Sequence, residues 1–381
     1  MQLSIFDTKA FVNMINPIKP IALYLPQYHP IPENDAWWGK GFTEWTNVTK
    51  AKPRFQGHHQ PHLPADLGFY DLRLEEARLA QESMAKTYGI YGFCYYHYWF
   101  NGQRILHQPL DRKLANVKED LPFMLCWANE NWTRAWDGKE KDVLLAQQHS
   151  DSDDQAHVRF LCEAYFQDSR YIRHEGKPVF IFYRPSLFPD IKNTLRIFRK
   201  EAQQAGIGEL WLGYFQGFNV KTKPQDLGFD FGVEFQPDFS NRPKPIQTSL
   251  LSACLHYIKQ KLSHNNSSSI YDYGDFAQLQ MQRPFQPDVY PCITPMWDNA
   301  ARREQNPFIL NHSTPEKYGV WLQYIVAHYP WKKNDADFLF LNAWNEWAEG
   351  NHLEPCQRWG LAYLQKTHDV FSQVQQQKNT Q

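Results

Sequence analysis

The chain contains 381 residues, of which 42% are hydrophobic and 21% charged, and its formal net charge is −1 at pH 7. This length and hydrophobic content support a large buried core. The balanced charge argues against a nucleic acid or another polyanion as partner, because such partners select basic surfaces. Aromatic residues make up 16% of the chain, which fits a cleft that stacks sugars and also a large aromatic core.

The N-terminal sequence has no basic run followed by an apolar stretch, and no window of about 18 apolar residues occurs in the chain. We therefore expect a cytoplasmic protein without stable membrane insertion. The six cysteines are scattered and lack CxxC spacing, which predicts free buried thiols in a reducing compartment.

Eight short apolar runs are predicted to be strands: residues 21–27, 92–98, 123–128, 179–183, 210–215, 231–235, 292–296 and 338–343. Several are too apolar to alternate between core and solvent, as expected for a parallel sheet covered on both faces. Helix-like segments lie between them, at residues 71–88, 153–166, 191–205 and 314–327. Eight such units predict an α/β fold, the (β/α)8 TIM barrel.

Two long segments interrupt this pattern, residues 29–68 after the first strand and residues 238–288 after the sixth. In a barrel, segments that follow strands cover the catalytic face, so both are predicted to be active-site loops rather than linkers. We expect one catalytic domain over residues 1–381, with the barrel at about 20–375.

Polar and aromatic residues follow the predicted strands, where a barrel of this type places its chemistry. Three histidines at 58, 59 and 62 form a possible metal site, but no acid or thiol within that hexapeptide completes it. We prefer to interpret these histidines as part of a polar loop or as contacts to the substrate. We expect no metal and no other cofactor. The predicted substrate-binding residues are Tyr28, His29, Glu44, Trp45, Tyr95, His97, Trp127, Asn129, Glu130, Trp132, Asp298, Trp344 and Asn345.

Glu346 and Glu349 stand among tryptophans just after the eighth predicted strand. Two carboxyl groups with separated pKa values can act as acid and as base or nucleophile on a glycosidic bond. Residues three apart on a straight strand point to opposite sides, so both reach one pocket only if the chain bends near Trp347. Otherwise Glu349 caps a helix or pairs with a surface arginine.

Glu130 offers a rival pairing, because it follows the third strand as Glu346 follows the eighth. A retaining mechanism across the barrel could use Glu130 as acid/base and Glu346 as nucleophile. Glu130 could instead hydrogen-bond to sugar hydroxyls or to Arg134.

Residues 345–355, Asn-Glu-Trp-Ala-Glu-Gly-Asn-His-Leu-Glu-Pro, resemble the signature of family 99 glycoside hydrolases, the endo-α-mannosidase and endo-mannanase group. Residues 24–30, 37–45, 92–100 and 126–132 are more similar to the WbsX-type branch, proteins with a family-99-like domain from bacterial O-antigen and surface-polysaccharide gene clusters. The resemblance covers about residues 21–364.

The resemblance implies a barrel that acts on an α-linked sugar with retention and without a metal. It makes Glu346 the base that acts on the sugar 2-hydroxyl, giving a 1,2-anhydro sugar, and Glu349 the general acid. It favours this close pair over Glu130 and Glu346. Candidate groups around the 2-hydroxyl are Asn345, Tyr95, His97 and Glu130.

The expected function is a glycoside hydrolase or transglycosylase for α-linked, mannose-like oligo- or polysaccharides in O-antigen metabolism. A glycosyltransferase of lipopolysaccharide O-antigen biosynthesis is the first alternative. The chain has no glycine-rich phosphate loop, and its Asp-x-Asp triplets at 151–153 and 335–337 lie in unsuitable contexts. A carbohydrate-binding barrel without catalysis is the second alternative, although a lectin needs no proton donor.

Overall fold

The computed structural model describes residues 18–134, 139–217, 220, 222–246, 269–303, 305–332 and 334–379. Part of the predicted loop at 238–288 therefore lies outside the described residues, as does Cys254. The other five cysteines are free and buried. In the part of the chain that the structure describes, no helix has both the length and the hydropathy needed to cross a membrane.

The core is a ring of parallel strands. These are β1 (Lys19–Tyr24), β2 (Gly92–Phe100), β3 (Phe123–Trp127), β4 (Lys177–Phe182), β5 (Trp211–Gln216), β6 (Phe231–Glu234), β7 (Val289–Tyr290), β8 (Cys292–Ile293) and β9 (Phe338–Leu341). Neighbours pair in chain order through β7, and the first strand pairs with the last, with Ile21 opposite both Gly92 and Phe340.

The ring closes through β7 and β8, two short strands on either side of Pro291. β7 pairs with β6 and β8 pairs with β9, so β7 and β8 together occupy the seventh strand position of the barrel. Proline cannot donate to a strand ladder, which is consistent with the interruption. The predicted (β/α)8 barrel is confirmed, and its seventh strand begins three residues earlier than the sequence suggested.

Most helices follow the strands and cover the outside of the ring, whereas the first two lie in the loop after β1. The helices are α1 (Pro32–Trp38), α2 (Glu44–Lys50), α3 (Glu75–Thr87), α4 (Gln108–Ala115), α5 (Asp151–Ala164), α6 (Ile191–Gln204), α7 (Pro224–Leu227), α8 (Tyr273–Met281), α9 (Pro315–His328) and α10 (Ala362–Asn379). At the start of α9 the Thr314 side chain accepts a hydrogen bond from the Lys317 amide at 3.3 Å, as an N-cap should.

Short elements build the rim of the barrel. They are strands Gln103–Ile105, Trp132–Arg134, Lys139–Leu145, Arg173–His174, Ser269–Asp272, Trp297–Asp298, Phe308–Asn311, Asn345–Glu346 and Asn351–His352, and single turns Pro185–Leu187, Asn299–Ala301 and Trp347–Glu349. The loop after β1 carries α1 and α2. The segments after β6 and β8 form a three-stranded sheet together, from Ser269–Asp272, Phe308–Asn311 and Trp297–Asp298.

Candidate active site

The chain bends sharply where the two glutamates lie. Strand Asn345–Glu346 leads into the single turn Trp347–Glu349, and Gly350, with a positive φ of 54°, ends that turn. Strand Asn351–His352 then returns antiparallel to Asn345–Glu346. The bend near Trp347 that a common pocket requires is therefore present, and Glu349 does not cap a helix.

Arg302 contacts both glutamates. Its Nη1 donates to Glu349 at 2.8 Å and its Nη2 donates to Glu346 at 3.2 Å. The same guanidinium donates to Glu44 of α2, from Nη2 at 2.6 Å and from Nε at 3.1 Å. One cation from the loop after β8 thus joins three carboxylates, of which Glu44 comes from the loop after β1 and Glu346 and Glu349 come from the loop after β9.

A network of buried polar groups holds the turn that precedes Arg302. Asp298 caps this turn by accepting from the Ala300 amide at 3.0 Å, and His58 and Gln60 each donate to its other oxygen at 2.7 Å. Arg54 donates to the Ala300 carbonyl at 2.7 Å. These contacts hold the loop after β8 against the loop after β1. Arg302 therefore extends from a segment whose backbone is fixed by hydrogen bonds.

Burial raises the pKa of Glu346 to about 8, and the neighbouring charge of Glu349 acts in the same direction. Burial also raises the pKa of Glu349, although a fifth of that side chain reaches solvent, against 6% for Glu346. Arg302 opposes both shifts but does not cancel them. The pair therefore retains a proton at neutral pH, as an acid–base pair requires.

Asn345, Tyr28 and Glu354 support the turn from behind. The Asn345 amide exchanges hydrogen bonds with the Leu25 backbone at 2.8 and 3.0 Å. The Tyr28 hydroxyl donates to the Asn345 carbonyl and accepts from the Trp347 amide at 3.2 Å. Glu354 accepts from the Trp347 indole at 2.7 Å. Tyr28 thus hydrogen-bonds to the backbone on either side of Glu346. Together with the contacts between Asn345 and Leu25, this fixes the position of Glu346.

Tyrosines line the mouth of the barrel beside the acid pair. Tyr96 of β2 and Tyr183, just after β4, lie 6.0 Å apart in a T-shaped contact although β3 separates their strands. Both side chains must therefore point into the barrel. Burial raises their pKa values well above 10, with smaller contributions from Glu346 and Glu349. Tyr98 is affected by Glu346 in the same way.

Half-buried tryptophans continue this aromatic lining outward. Trp132 makes edge contacts with Tyr98 at 5.4 Å and with Trp37 of α1 at 5.5 Å. Indole faces and edges at a cleft mouth are suited to the apolar faces of sugar rings. Trp132 was predicted from the sequence, whereas Trp37, Tyr96, Tyr98, Tyr183 and Arg302 were not among the predicted site residues.

Tyr95 and His97 point away from the acid pair. Tyr95 packs 4.3 Å from Tyr24, whose hydroxyl donates to Gln81 of α3, so it faces the helix layer. His97 contacts His157 of α5 through their Nε2 atoms at 2.9 Å. Alternate residues of a strand face opposite sides, so these two side chains occupy the outer face of β2.

Other predicted contacts are enclosed in the core. Trp127, Trp344 and His29 are fully buried, and Trp45 is 8% exposed. The Trp45 indole donates to the Tyr70 carbonyl at 2.9 Å, and burial lowers the pKa of His29 to about 4. In this structure these four side chains support the walls of the cleft and do not line it.

Glu130 lies at the barrel mouth but belongs to a separate ion pair. It accepts from Arg184 at 2.5 Å, and 40% of its side chain is exposed. Asn129 is fully buried and exchanges two hydrogen bonds of 2.8 Å with the Arg184 backbone. Glu130 is therefore accessible to a ligand, while Asn129 joins the ends of β3 and β4.

The histidines at 58, 59 and 62 contact different groups. His58 donates to Asp298 at 2.7 Å and His62 contacts His352 at 3.2 Å, while the His59 ring lies 5.0 Å from the His62 ring. Burial lowers the pKa of His62 to about 4, so the ring stays neutral. Among the described residues, no group of three or more His, Cys, Asp or Glu side chains is arranged to hold a metal ion.

The molecule is thus a (β/α)8 barrel with a bridged acid pair at its mouth. The family model described as glycosyltransferase WbsX matches residues 20–367, and the chain belongs to this family. Proteins described as uncharacterized protein WxcX, from two strains of Xanthomonas campestris pv. campestris, are 42% identical over 360 residues, which is 94% of this chain and 50% of theirs. The chain spans about half the length of these curated relatives.

Solved structures share the fold. A glycoside hydrolase-like protein has a TM-score of 0.59 at 14% identity and covers 97% of both chains. The family 99 endo-α-mannosidase from Bacteroides thetaiotaomicron has a TM-score of 0.55 at 12% identity, covering 94% of this chain and 98% of its own. These likenesses show a shared barrel fold, and the family match shows the family.

Proposed function

We propose that this chain is a retaining glycoside hydrolase or transglycosylase that acts on α-linked, mannose-like glycans in bacterial O-antigen or surface-polysaccharide metabolism. The observation that carries the proposal is the contact of Glu346 and Glu349 with one guanidinium at the mouth of the barrel. An isolated carboxylate could serve binding alone, but two adjacent acids that retain a proton can both accept and donate one.

The depth of the two carboxyl groups supports different roles for them. Glu346 is the deeper group and would meet the sugar ring at the floor of the cleft, where it removes the proton of the 2-hydroxyl. That oxygen then attacks the anomeric carbon as the glycosidic bond breaks. Glu349, which is more exposed, would give its proton to the departing oxygen on the solvent side.

The second half-reaction restores both groups. Water or an acceptor hydroxyl attacks the anomeric carbon of the 1,2-anhydro sugar and gives its proton to Glu349. The 2-oxygen recovers a proton from Glu346. Because each of the two displacements inverts the anomeric carbon, the product retains the configuration of the substrate. Water yields hydrolysis and a sugar acceptor yields transglycosylation.

The raised pKa of Glu346 constrains the order of events. Burial and the charge of Glu349 raise the pKa of Glu346 to about 8, whereas the proposed reaction begins with Glu346 ionised and Glu349 protonated. The reaction therefore requires the proton to lie on Glu349 once the sugar is bound, and both groups contact the same guanidinium. Activity should fall as pH rises above about 8, because the pair then loses the proton that the acid must supply.

Product analysis with α-mannan-type oligosaccharides tests the proposal. Glu346→Gln and Glu349→Gln should each lower turnover by about 100- to 10,000-fold, the usual contribution of a general acid or base. The control is Glu209→Gln, an exposed residue just before β5 at the opposite end of the barrel. Turnover that is unchanged in both pair variants would exclude the pair.

Glu130→Gln separates the rival pairing across the barrel from the close pair. A loss as large as that of Glu346→Gln, with Glu349→Gln active, would make Glu130 the acid/base. Detection of sugar binding without turnover in any assay would favour the non-catalytic barrel.

Glycosyl transfer from an activated donor is the second candidate, because the family to which the chain belongs is described as a glycosyltransferase. The same oligosaccharides should be incubated with and without nucleotide-sugar donors. Free reducing ends without a donor support hydrolysis, whereas chain growth that requires the donor supports the transferase.

A further inference from the structure

Arg302 is surrounded by more negative groups than it can neutralise. Glu44, Glu346 and Glu349 all accept hydrogen bonds from its guanidinium. If all three carboxyl groups were ionised, the cluster would carry a net charge of −2 in a largely enclosed site. Such a surplus is costly at low dielectric, so the cluster is stable only with protons retained.

The three carboxylates are not equivalent partners of Arg302. Glu44 is fully buried and accepts two hydrogen bonds, from Nε and Nη2, on a single oxygen. Glu346 and Glu349 receive one hydrogen bond each, from Nη2 and Nη1. Glu44 therefore fixes the plane of the guanidinium, from which Nη1 donates to Glu349 and Nη2 donates to Glu346.

Both members of this ion pair are anchored independently of the acid pair. The Glu44 amide donates to the Gln27 carbonyl at 3.1 Å, which ties the start of α2 to the end of β1. Arg302 directly follows the turn Asn299–Ala301, which Asp298 caps and Arg54 holds. A guanidinium anchored in this way can keep its position while the proton count of the glutamates changes.

We propose that Glu44 and Arg302 act as a positioning pair, in which Glu44 orients the guanidinium and the guanidinium sets the orientation and the number of protons of Glu346 and Glu349. The inference rests on the catalytic roles proposed above for those two residues. A salt bridge that only joined the loops would stabilise the fold without controlling the titration of the acid pair.

Among the residues that the structure describes, few other groups face the acid pair. Arg303 adds a weaker positive charge near Glu349. The phenols of Tyr28, Tyr96, Tyr98 and Tyr183 are near Glu346, and burial raises their pKa values well above 10, so they remain neutral at the pH values of interest. Arg302 and Glu44 are therefore the dominant charges that set the titration of the pair.

Titration of the glutamates by carbon NMR tests the proposal without a substrate. Full-length protein carrying ¹³C-labelled glutamate carboxyl groups is titrated, and the two signals are assigned from their loss in Glu346→Gln and Glu349→Gln. In Arg302→Gln the titration midpoint of Glu346 and Glu349 should rise by about 1 to 3 pH units, the effect of removing an adjacent opposite charge. In Glu44→Gln the same midpoint should fall, because one neighbouring negative charge is removed.

Two further variants sharpen the measurement. Arg302→Lys keeps the charge but cannot bridge three carboxylates, so its midpoint should rise less than that of Arg302→Gln. Arg358→Gln removes an exposed arginine that is not among the main charges acting on either glutamate, and it should leave the midpoint nearly unchanged. If Arg302→Gln does not fold, Arg302→Lys and Glu44→Gln still test the proposal, because they shift the midpoint in opposite directions.

Unchanged midpoints in the Arg302 and Glu44 variants would overturn the proposal and leave a structural salt bridge. Its failure is distinct from failure of the proposed function, which would be seen as absence of turnover by the unmodified protein. Where turnover is measurable, the alkaline loss of kcat in Arg302→Gln should move upward with the NMR midpoint. A kcat that falls equally at every pH would contradict control of protonation.

Discussion

Gly350 permits the bend that brings the two glutamates together. Its φ of 54° lies in the left-handed region, and a Cβ there would stand 2.8 Å from the Asp298 carbonyl oxygen. The turn that carries the acid pair and the loop that carries Arg302 therefore approach each other at a position where only hydrogen fits. This contact links backbone geometry directly to the spacing of the charged cluster.

Gly350→Ala should destabilise the protein by about 1 to 2 kcal/mol from backbone strain and by about 1 to 3 kcal/mol from the forced contact. Gly360→Ala is a matched control, because its φ is 49° but no atom lies within 4 Å of the added Cβ. Urea unfolding of both variants gives the difference. Equal losses of stability would mean that the loops separate at no cost.

At the scale of elements, β2 and α5 meet through a pair of neutral histidines. The Nε2 atoms of His97 and His157 are 2.9 Å apart, and the His157 ring stacks on Trp99 with centroids 4.6 Å apart. Burial lowers the pKa of His97 to about 3 and that of His157 well below 6.5. The interface thus excludes the charged form of both rings.

Acid should weaken this interface. Because both folded-state pKa values lie below the unfolded value of about 6.5, the unfolded chain binds protons first, and stability present above that pH is lost below it. Each histidine adds about 1.4 kcal/mol of loss per pH unit. His157→Phe and His157→Gln differ in packing, yet both remove one titrating histidine. In both variants the free energy of unfolding should therefore fall by about 1.4 kcal/mol less per pH unit between pH 6 and 4 than in the unmodified protein. Unfolding free energies with the unmodified slope would contradict the assignment.

At the scale of the molecule, the barrel joins the beginning of the chain to its end. The first strand pairs with β9, and the Trp344 amide donates to the Leu23 carbonyl at 2.8 Å. The charged cluster likewise draws on loops from both ends of the sequence. We therefore expect neither the site nor the core to persist in a fragment of the barrel.

One cooperative transition is the unfolding behaviour that the predicted single domain should show. Trp127 ends β3, Trp344 follows β9 and Trp321 lies in α9, and all three are buried, so their fluorescence reports on both the strands and the helix layer. Fluorescence and far-UV circular dichroism should give coincident urea transitions. Two separate transitions would indicate that the chain contains independently stable parts.

The sequence by itself determined the barrel and the acid pair. Eight apolar runs separated by helix-like segments define the (β/α)8 pattern, because strands covered on both faces are apolar throughout. Glu346 and Glu349 were found because two acids among tryptophans, followed by glycine, are conspicuous in one short segment. Composition was sufficient for the barrel, but it left Glu130 as a rival partner of Glu346, and the family resemblance favoured the close pair, whose catalytic role stays a prediction.

The tertiary structure decided which side chains share the cleft. In β2 the period of two separates Tyr96 and Tyr98 from Tyr95 and His97, but both faces are buried and the sequence does not show which face is the inner one. Arg302 stands 44 positions before Glu346 and 258 after Glu44. Only closure of the ring brings these charges together, because the position of each charged residue is set by the strand that its loop follows.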